Sequence, residues 1–155
     1  MEFNSRISVF GGRVIQDSLY EKIIKIGEML AKENYLTFCG GGKGVMEAIA
    51  KGVTNKKGVV IGILPEQDYC KGNKFLSIPI ATGVGMARNA LLAYNCDAAI
   101  AIAGGDGTLS EIAFAKQLNK PVIGYNTFNL KGIINAENCG QIKSILEKVC
   151  LQKKD

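Results

Sequence analysis

Residues 97–113 read DAAIAIAGGDGTLSEIA, and the changes of chemistry within this stretch decide the fold. The run from Ala98 to Ala103 is apolar throughout, as expected of a strand covered on both faces inside a parallel sheet. Gly104, Gly105 and Gly107 then interrupt it, and Leu109, Ile112 and Ala113 mark the apolar face of a following helix. Strand, glycine turn and helix together are half of a βαβ unit.

The same order recurs on both sides. Short β-branched or apolar runs at residues 7–10, 36–39, 59–64, 75–80, 98–103 and 122–125 alternate with helical periodicity. Ile15, Leu19, Ile23, Ile26 and Leu30 recur at steps of three and four before Asn34 closes the segment, and Val45, Met46, Ile49 and Val53 form a shorter stripe. Ile142, Ile145, Leu146 and Val149 form the last one. This pattern predicts a doubly wound α/β domain, Rossmann-like, with a mostly parallel sheet of six or seven strands and helices on both faces. Pro79 cannot donate to a ladder, so its strand belongs at an edge or begins there. With 155 residues and no Pro- or Ser-rich linker, the chain reads as a single nucleotide-binding domain over residues 1–155.

Composition narrows the chemistry. Histidine is absent, which removes Ser-His-Asp and Cys-His catalysis and any imidazole-ligated metal. The five cysteines are widely spaced with no Cys-x-x-Cys pair, and read as small buried hydrophobes in a reducing compartment; no metal site is expected. Apolar residues make up 47% of the chain and charged ones 21%, which excludes an intrinsically disordered protein. No apolar run approaches the roughly 20 residues that span a bilayer, and residues 1–5 show no secretory pattern, so a cytoplasmic location without membrane attachment is expected. The net charge of +5 comes mainly from scattered lysines, without an arginine cluster or aromatic stripe, which predicts no specific nucleic-acid partner.

The 19 glycines collect where strands give way to helices. Gly11 and Gly12 follow the first strand, Gly40, Gly41, Gly42 and Gly44 the second, and Gly104, Gly105 and Gly107 the fifth. In a parallel sheet all three are carboxyl-end turns, the place where open α/β sheets bind ligands. Residues 41–50 and 104–113 align without a gap. Each turn is expected to offer backbone N–H groups and a positive helix end to a phosphate. Gly11, Gly12, Gly41, Gly42, Lys43, Gly44, Gly104, Gly105, Asp106, Gly107 and Thr108 are therefore the candidate phosphate and nucleotide contacts. A single βα turn can need glycine for packing alone; three at one end of one sheet favour a ligand site. The Gly-x-x-x-x-Gly-Lys-Ser/Thr loop and the Gly-x-Gly-x-x-Gly fingerprint are both absent.

From Gly85 to Ala115 the chain reads GMARNALLAYNCDAAIAIAGGDGTLSEIAFA and resembles the Lonely Guy (LOG) family and its relatives, whose members are often labelled lysine decarboxylases. That family carries an arginine on a helix, an aspartate opening the next strand, and Pro-Gly-Gly-x-Gly-Thr-x-x-Glu. Here these positions hold Arg88, Asp97 and residues 103–111. The upstream run from Gly40 to Met46 also fits. The resemblance implies hydrolysis of the N-glycosidic bond of nucleoside 5′-monophosphates, with Gly105, Gly107 and Thr108 on the phosphate and Arg88 and Glu111 as the catalytic pair. A carboxylate near the anomeric carbon suits an oxocarbenium-like transition state. The other reading of the pair is a structural salt bridge across the top of the sheet.

Three positions depart from the LOG enzymes: Ala103 replaces proline, Asn89 replaces lysine, and Ser110 replaces an acid. The Arg-Asn pairing and the tract from Thr82 to Met86 are more similar to a small branch that includes molybdenum-cofactor carrier proteins. That branch implies binding of a nucleotide or molybdopterin without hydrolysis. In either case the ligand is a small phosphorylated molecule, no cofactor is required for chemistry, and a homodimer is implied. Gly-Gly-Asp-Gly-Thr-Leu is also a nucleotide-loop motif of diacylglycerol and NAD kinases, in which Asp106 would serve a magnesium-bound phosphate. The chain is about half the length of those kinases and shows no second glycine-rich motif. Tyr69 and Phe75 flank a Lys-rich loop, where they could stack on a base or only anchor the loop.

Overall fold

The strand β1 (Arg6–Gly11) sits at the centre of the sheet, and its apolar run Ile7, Val9 and Phe10 is buried because helices cover both of its faces. The computed structural model describes residues 1–151. The elements that follow are α1 (Asp17–Lys32), β2 (Leu36–Cys39), α2 (Val45–Asn55), β3 (Val60–Leu64), β4 (Ile78–Ala81), α3 (Arg88–Tyr94), β5 (Ala98–Ile102), α4 (Asp106–Gln117), β6 (Val122–Tyr125), β7 (Ile134–Asn135) and α5 (Cys139–Leu151). All strand pairs are parallel, in the order β4-β3-β2-β1-β5-β6-β7. The chain winds outward from β1 to β4, then returns to place β5 against the other side of β1. That reversal is the topological switch point of a doubly wound, Rossmann-like fold.

Two cores flank the sheet. One packs α1, α2 and α5 against it through side chains such as Ile23, Ile49 and Leu146; the other packs α3 and α4 through Leu92, Ile112 and Ala115. The first layer is tight where α1 crosses α2. A Cβ at Gly27 would lie 2.6 Å from the Ile49 carbonyl oxygen, and one at Gly52 would overlap the Ile24 carbonyl. Glycine at both positions lets the two helix backbones touch.

Several expected boundaries move. The fourth strand spans Ile78–Ala81, not residues 75–80, because Asn73 Oδ1 accepts the Phe75 N–H and keeps that residue in a loop. Pro79 does lie on an edge strand. The fifth strand stops at Ile102, and Ala103 adopts φ 48° in the left-handed region. The short strand β7 has no apolar alternation to announce it. On α4 the expected face is displaced: Ile112 is buried, but Leu109 and Ala113 turn outward, and the inward stripe is Thr108, Glu111, Ile112 and Ala115. Cys39, Cys96 and Cys150 are buried as expected, whereas Cys70 is exposed and Cys139 only half-buried. Among the described residues no helix is long and apolar enough to cross a membrane.

Candidate functional site

At the carboxyl edge, next to the switch point, α4 begins immediately after Gly105 with no side chain capping it. Leu109 N–H donates to the Gly105 carbonyl, so the N–H groups of Asp106, Gly107 and Thr108 precede the first intrahelical bond. A Cβ at Gly105 or at Gly107 would meet nothing within 4 Å, so the approach to this helix end is open. Gly104 makes the turn possible. Its φ is 102°, and a Cβ there would collide with the Thr108 side chain. Asp106 sits exposed in the first turn, where its charge complements the helix dipole.

Arg88 from α3 and Glu111 from α4 itself line, together with this helix end, a cavity of about 300 Å³ that Gly12, Arg13, Met46 and Met86 also border. Both are buried, at 8% and 6% exposure. Arg88 Nη1 donates to the carbonyls of Gly40 (2.6 Å) and Ile63 (2.7 Å), and Nε donates to Asn89 Oδ1 (2.9 Å). These bonds fix the guanidinium over the ends of β2 and β3, while Nη2 has no protein partner among the described residues. No ion pair closes between Arg88 and Glu111, so the alternative of a structural salt bridge does not hold. Burial pushes the Glu111 carboxyl up to about 8, against the pull of Arg88. Burial also lowers the proton affinity of Arg88 from its ordinary value, with Glu111 opposing that change and Arg13 adding to it.

Two of the three departures from the LOG pattern, Asn89 and Ser110, prove to be partners. Asn89 Nδ2 donates to Ser110 Oγ (3.0 Å), and Ser110 Oγ donates to the Gly107 carbonyl (2.7 Å). A continuous chain thus runs from the Arg88 guanidinium through Asn89 and Ser110 to the first turn of α4.

The two aligned glycine turns are not equivalent in space. Helix α2 begins at Val45, two positions later in the alignment than α4, and Val45 N–H donates to the Gly12 carbonyl (3.0 Å). The Gly42 N–H points at Met46 Sδ (3.3 Å). Gly44, at φ 65°, lies so close to the Gly12 and Arg13 backbone that a Cβ would stand 2.5 Å from the Gly12 oxygen. The expectation of an open helix end at Gly41, Gly42 and Gly44 is therefore corrected: the first βα turn packs across it. Lys43 lines a separate cavity of about 290 Å³, beside Arg13, Glu66 and Lys71. Gly11 and Gly12 line the Arg88 cavity from the other side. Asp97 lies at the opposite, amino end of β5, where its Oδ2 accepts the Arg6 N–H (2.9 Å). Phe75 anchors its loop, with the Lys51 and Lys74 ammonium groups 5.9 and 5.2 Å from its ring centre, and Tyr69 is exposed. A larger groove of about 790 Å³, between the start of α1 and the ends of β6 and β7, shares no lining residue with the Arg88 cavity.

Sequence reasoning passed over Arg13, which lines both smaller cavities. Its position directly after the Gly11-Gly12 pair was the available signal. The sequence places Met46 on a core stripe and at the end of a family-like run, and Met86 in a similar tract, without pointing to either as a cavity residue.

Known proteins are similar to this chain in sequence and in fold. The sequence profile of the SLOG cluster4 family matches residues 4–152. An uncharacterized protein of Archaeoglobus fulgidus is 42% identical over 118 residues, covering 76% of this chain and 77% of its own. A probable cytokinin riboside 5′-monophosphate phosphoribohydrolase of rice, Oryza sativa subsp. japonica, is 32% identical over 112 residues, or 69% of this chain; the match spans about half, 49%, of the rice protein. The solved molybdenum cofactor binding protein of Rippkaea orientalis superposes with a TM-score of 0.87 at 28% identity, covering 93% of this chain and 96% of that one. With its doubly wound sheet and a profile match over nearly its whole length, the chain belongs to the SLOG cluster4 family, within the LOG-like Rossmann proteins that also include molybdenum-cofactor carriers.

Proposed function

We propose that the chain binds a nucleoside 5′-monophosphate, or a heterocycle phosphorylated in the same way, and hydrolyses its N-glycosidic bond. The observation that carries this reading is a buried carboxyl group, Glu111, held without an ion pair in the cavity that the uncapped end of α4 opens onto. The phosphate would lie on the N–H groups of Asp106, Gly107 and Thr108, where the helix dipole favours an anion. The ribose would then reach toward Arg88 Nη2 and Glu111. In its ionised form Glu111 stabilises positive charge at the anomeric carbon and takes a proton from the attacking water. Water forms the new C–O bond, the base leaves with the electron pair of the N-glycosidic bond and takes up a proton from solvent, and ribose 5-phosphate remains. The likeness to a probable phosphoribohydrolase of rice supports this reading.

A second reading, a carrier that binds without hydrolysis, is favoured by the proton affinity of Glu111. At a value of about 8 most of the group is protonated at neutral pH and serves as a hydrogen-bond donor. The Rippkaea orientalis neighbour supports this alternative, with molybdopterin as the ligand.

The test incubates wild type and Glu111→Gln with a panel of 5′-monophosphates and measures free base, alongside ligand-induced thermal shifts. Base release by wild type that the substitution abolishes supports the hydrolase. Thermal stabilisation by a nucleotide or by molybdopterin with no product overturns it in favour of the carrier.

A further inference from the structure

The second cavity, of about 290 Å³, lies on the other side of Arg13 from the Arg88 cavity and shares Pro65 with it. Arg13, Lys43 and Lys71 converge on it, and none of the three forms an ion pair among the described residues. The acids on the same wall do not neutralise them. Glu47 accepts the Tyr20 hydroxyl (2.8 Å), and Glu66 has no cation within ion-pair distance among the described residues. Lys71 does not ride on a loose loop. Asn73 donates its N–H to the Gly41 carbonyl (2.8 Å) and its Nδ2 to the Gly42 carbonyl (2.9 Å), which clamps the lysine-bearing segment onto the glycine turn after β2.

Two N–H groups of that turn are occupied, Val45 by the Gly12 carbonyl and Gly42 by Met46 Sδ, which leaves the three cationic side chains as the main anion contacts of the cavity. Arg13 lines both cavities, so its guanidinium stands where it can reach an anion in either. Resting on the binding reading above, we propose that this cavity takes a second phosphate of the same ligand, with Arg13 between the two, so that the preferred ligand is a nucleotide carrying two phosphates. The two phosphates could be joined, as in a 5′-diphosphate, or separate, as in a 3′,5′-bisphosphate; the chemistry recognised is the same.

Calorimetric titration of wild type and of the Lys43→Gln/Lys71→Gln double variant decides it. The probes are the 5′-monophosphates, 5′-diphosphates and 3′,5′-bisphosphates of adenosine, guanosine, cytidine and uridine. Wild type should bind one of the doubly phosphorylated sets about tenfold or more tightly than the corresponding monophosphate, as charge-assisted contacts to a second phosphate require. Which set wins distinguishes joined from separate phosphates. In the double variant the ratio should collapse to within about twofold. Both lysines are exposed, so the variant keeps its core. Equal affinities in wild type, or a preference that survives in the double variant, would overturn the second subsite and leave the monophosphate site standing. Binding of none of these nucleotides would overturn both together.

Discussion

The amide nitrogen of Asn89 lies 3.0 Å from the hydroxyl of Ser110, so the two residues that replace a lysine and an acid of the LOG pattern are bonded to one another. Their contact ties the start of α3 to the first turns of α4, and through Asn89 Oδ1 it reaches the Arg88 guanidinium. Asn89 is 7% exposed, so its loss leaves the buried Arg88 Nε donor without its partner. Asn89→Leu should lower stability by about 1–3 kcal/mol in chemical denaturation. Ser110→Ala should cost less, and the double-mutant cycle should give a coupling energy of about 0.5 kcal/mol or more. Additive effects would show that the chain does not act as a unit.

Glu111 supplies a pH test with a definite sign. Its carboxyl is raised from an ordinary 4.5 to about 8 by burial, so the folded protein holds this proton more tightly than the unfolded chain. The contribution is fully present below about 4.5, is lost as pH rises toward 8, and remains lost above it. Thermal melting of Glu111→Gln should therefore gain on wild type as pH rises from about 5 to about 8 and hold that gain above it, on the order of several degrees. If the ionised form does the hydrolysis, base release should rise over the same window and level off above about pH 8.

The open end of α4 is tested by a substitution that leaves the fold intact. Gly107 has room for a Cβ, and alanine in a helix is favoured over glycine by about 1 kcal/mol. Gly107→Ala should melt no lower than wild type yet weaken nucleotide binding by about threefold or more, because a methyl group obstructs phosphate approach to the backbone. Unchanged affinity would remove the phosphate from this helix end.

Thr37, fully buried in β2, carries the one hydroxyl among the described residues that is buried without a hydrogen-bond partner. Thr37→Val keeps the shape and removes the orphan, and should stabilise the protein by about 1 kcal/mol in urea unfolding. A loss of stability would reveal a partner for the hydroxyl.

The sequence by itself determined the winding of the chain. Apolar runs of strand length alternating with helical stripes leave few alternatives to a parallel sheet covered on both sides, and glycine at strand ends marks its ligand edge. Arg88 and Glu111 were legible because a family pattern spaces them, and Pro79 because it cannot donate to a ladder. Only the tertiary structure decided which glycine turn stays open. Residues 41–50 and 104–113 match position for position, yet the Gly12 carbonyl closes on Val45 in the first, while nothing approaches Gly105 or Gly107 in the second. The same holds for Arg13, and for Asn89 with Ser110. Their roles depend on distances between segments far apart in the chain, and no local periodicity encodes a contact across the sheet.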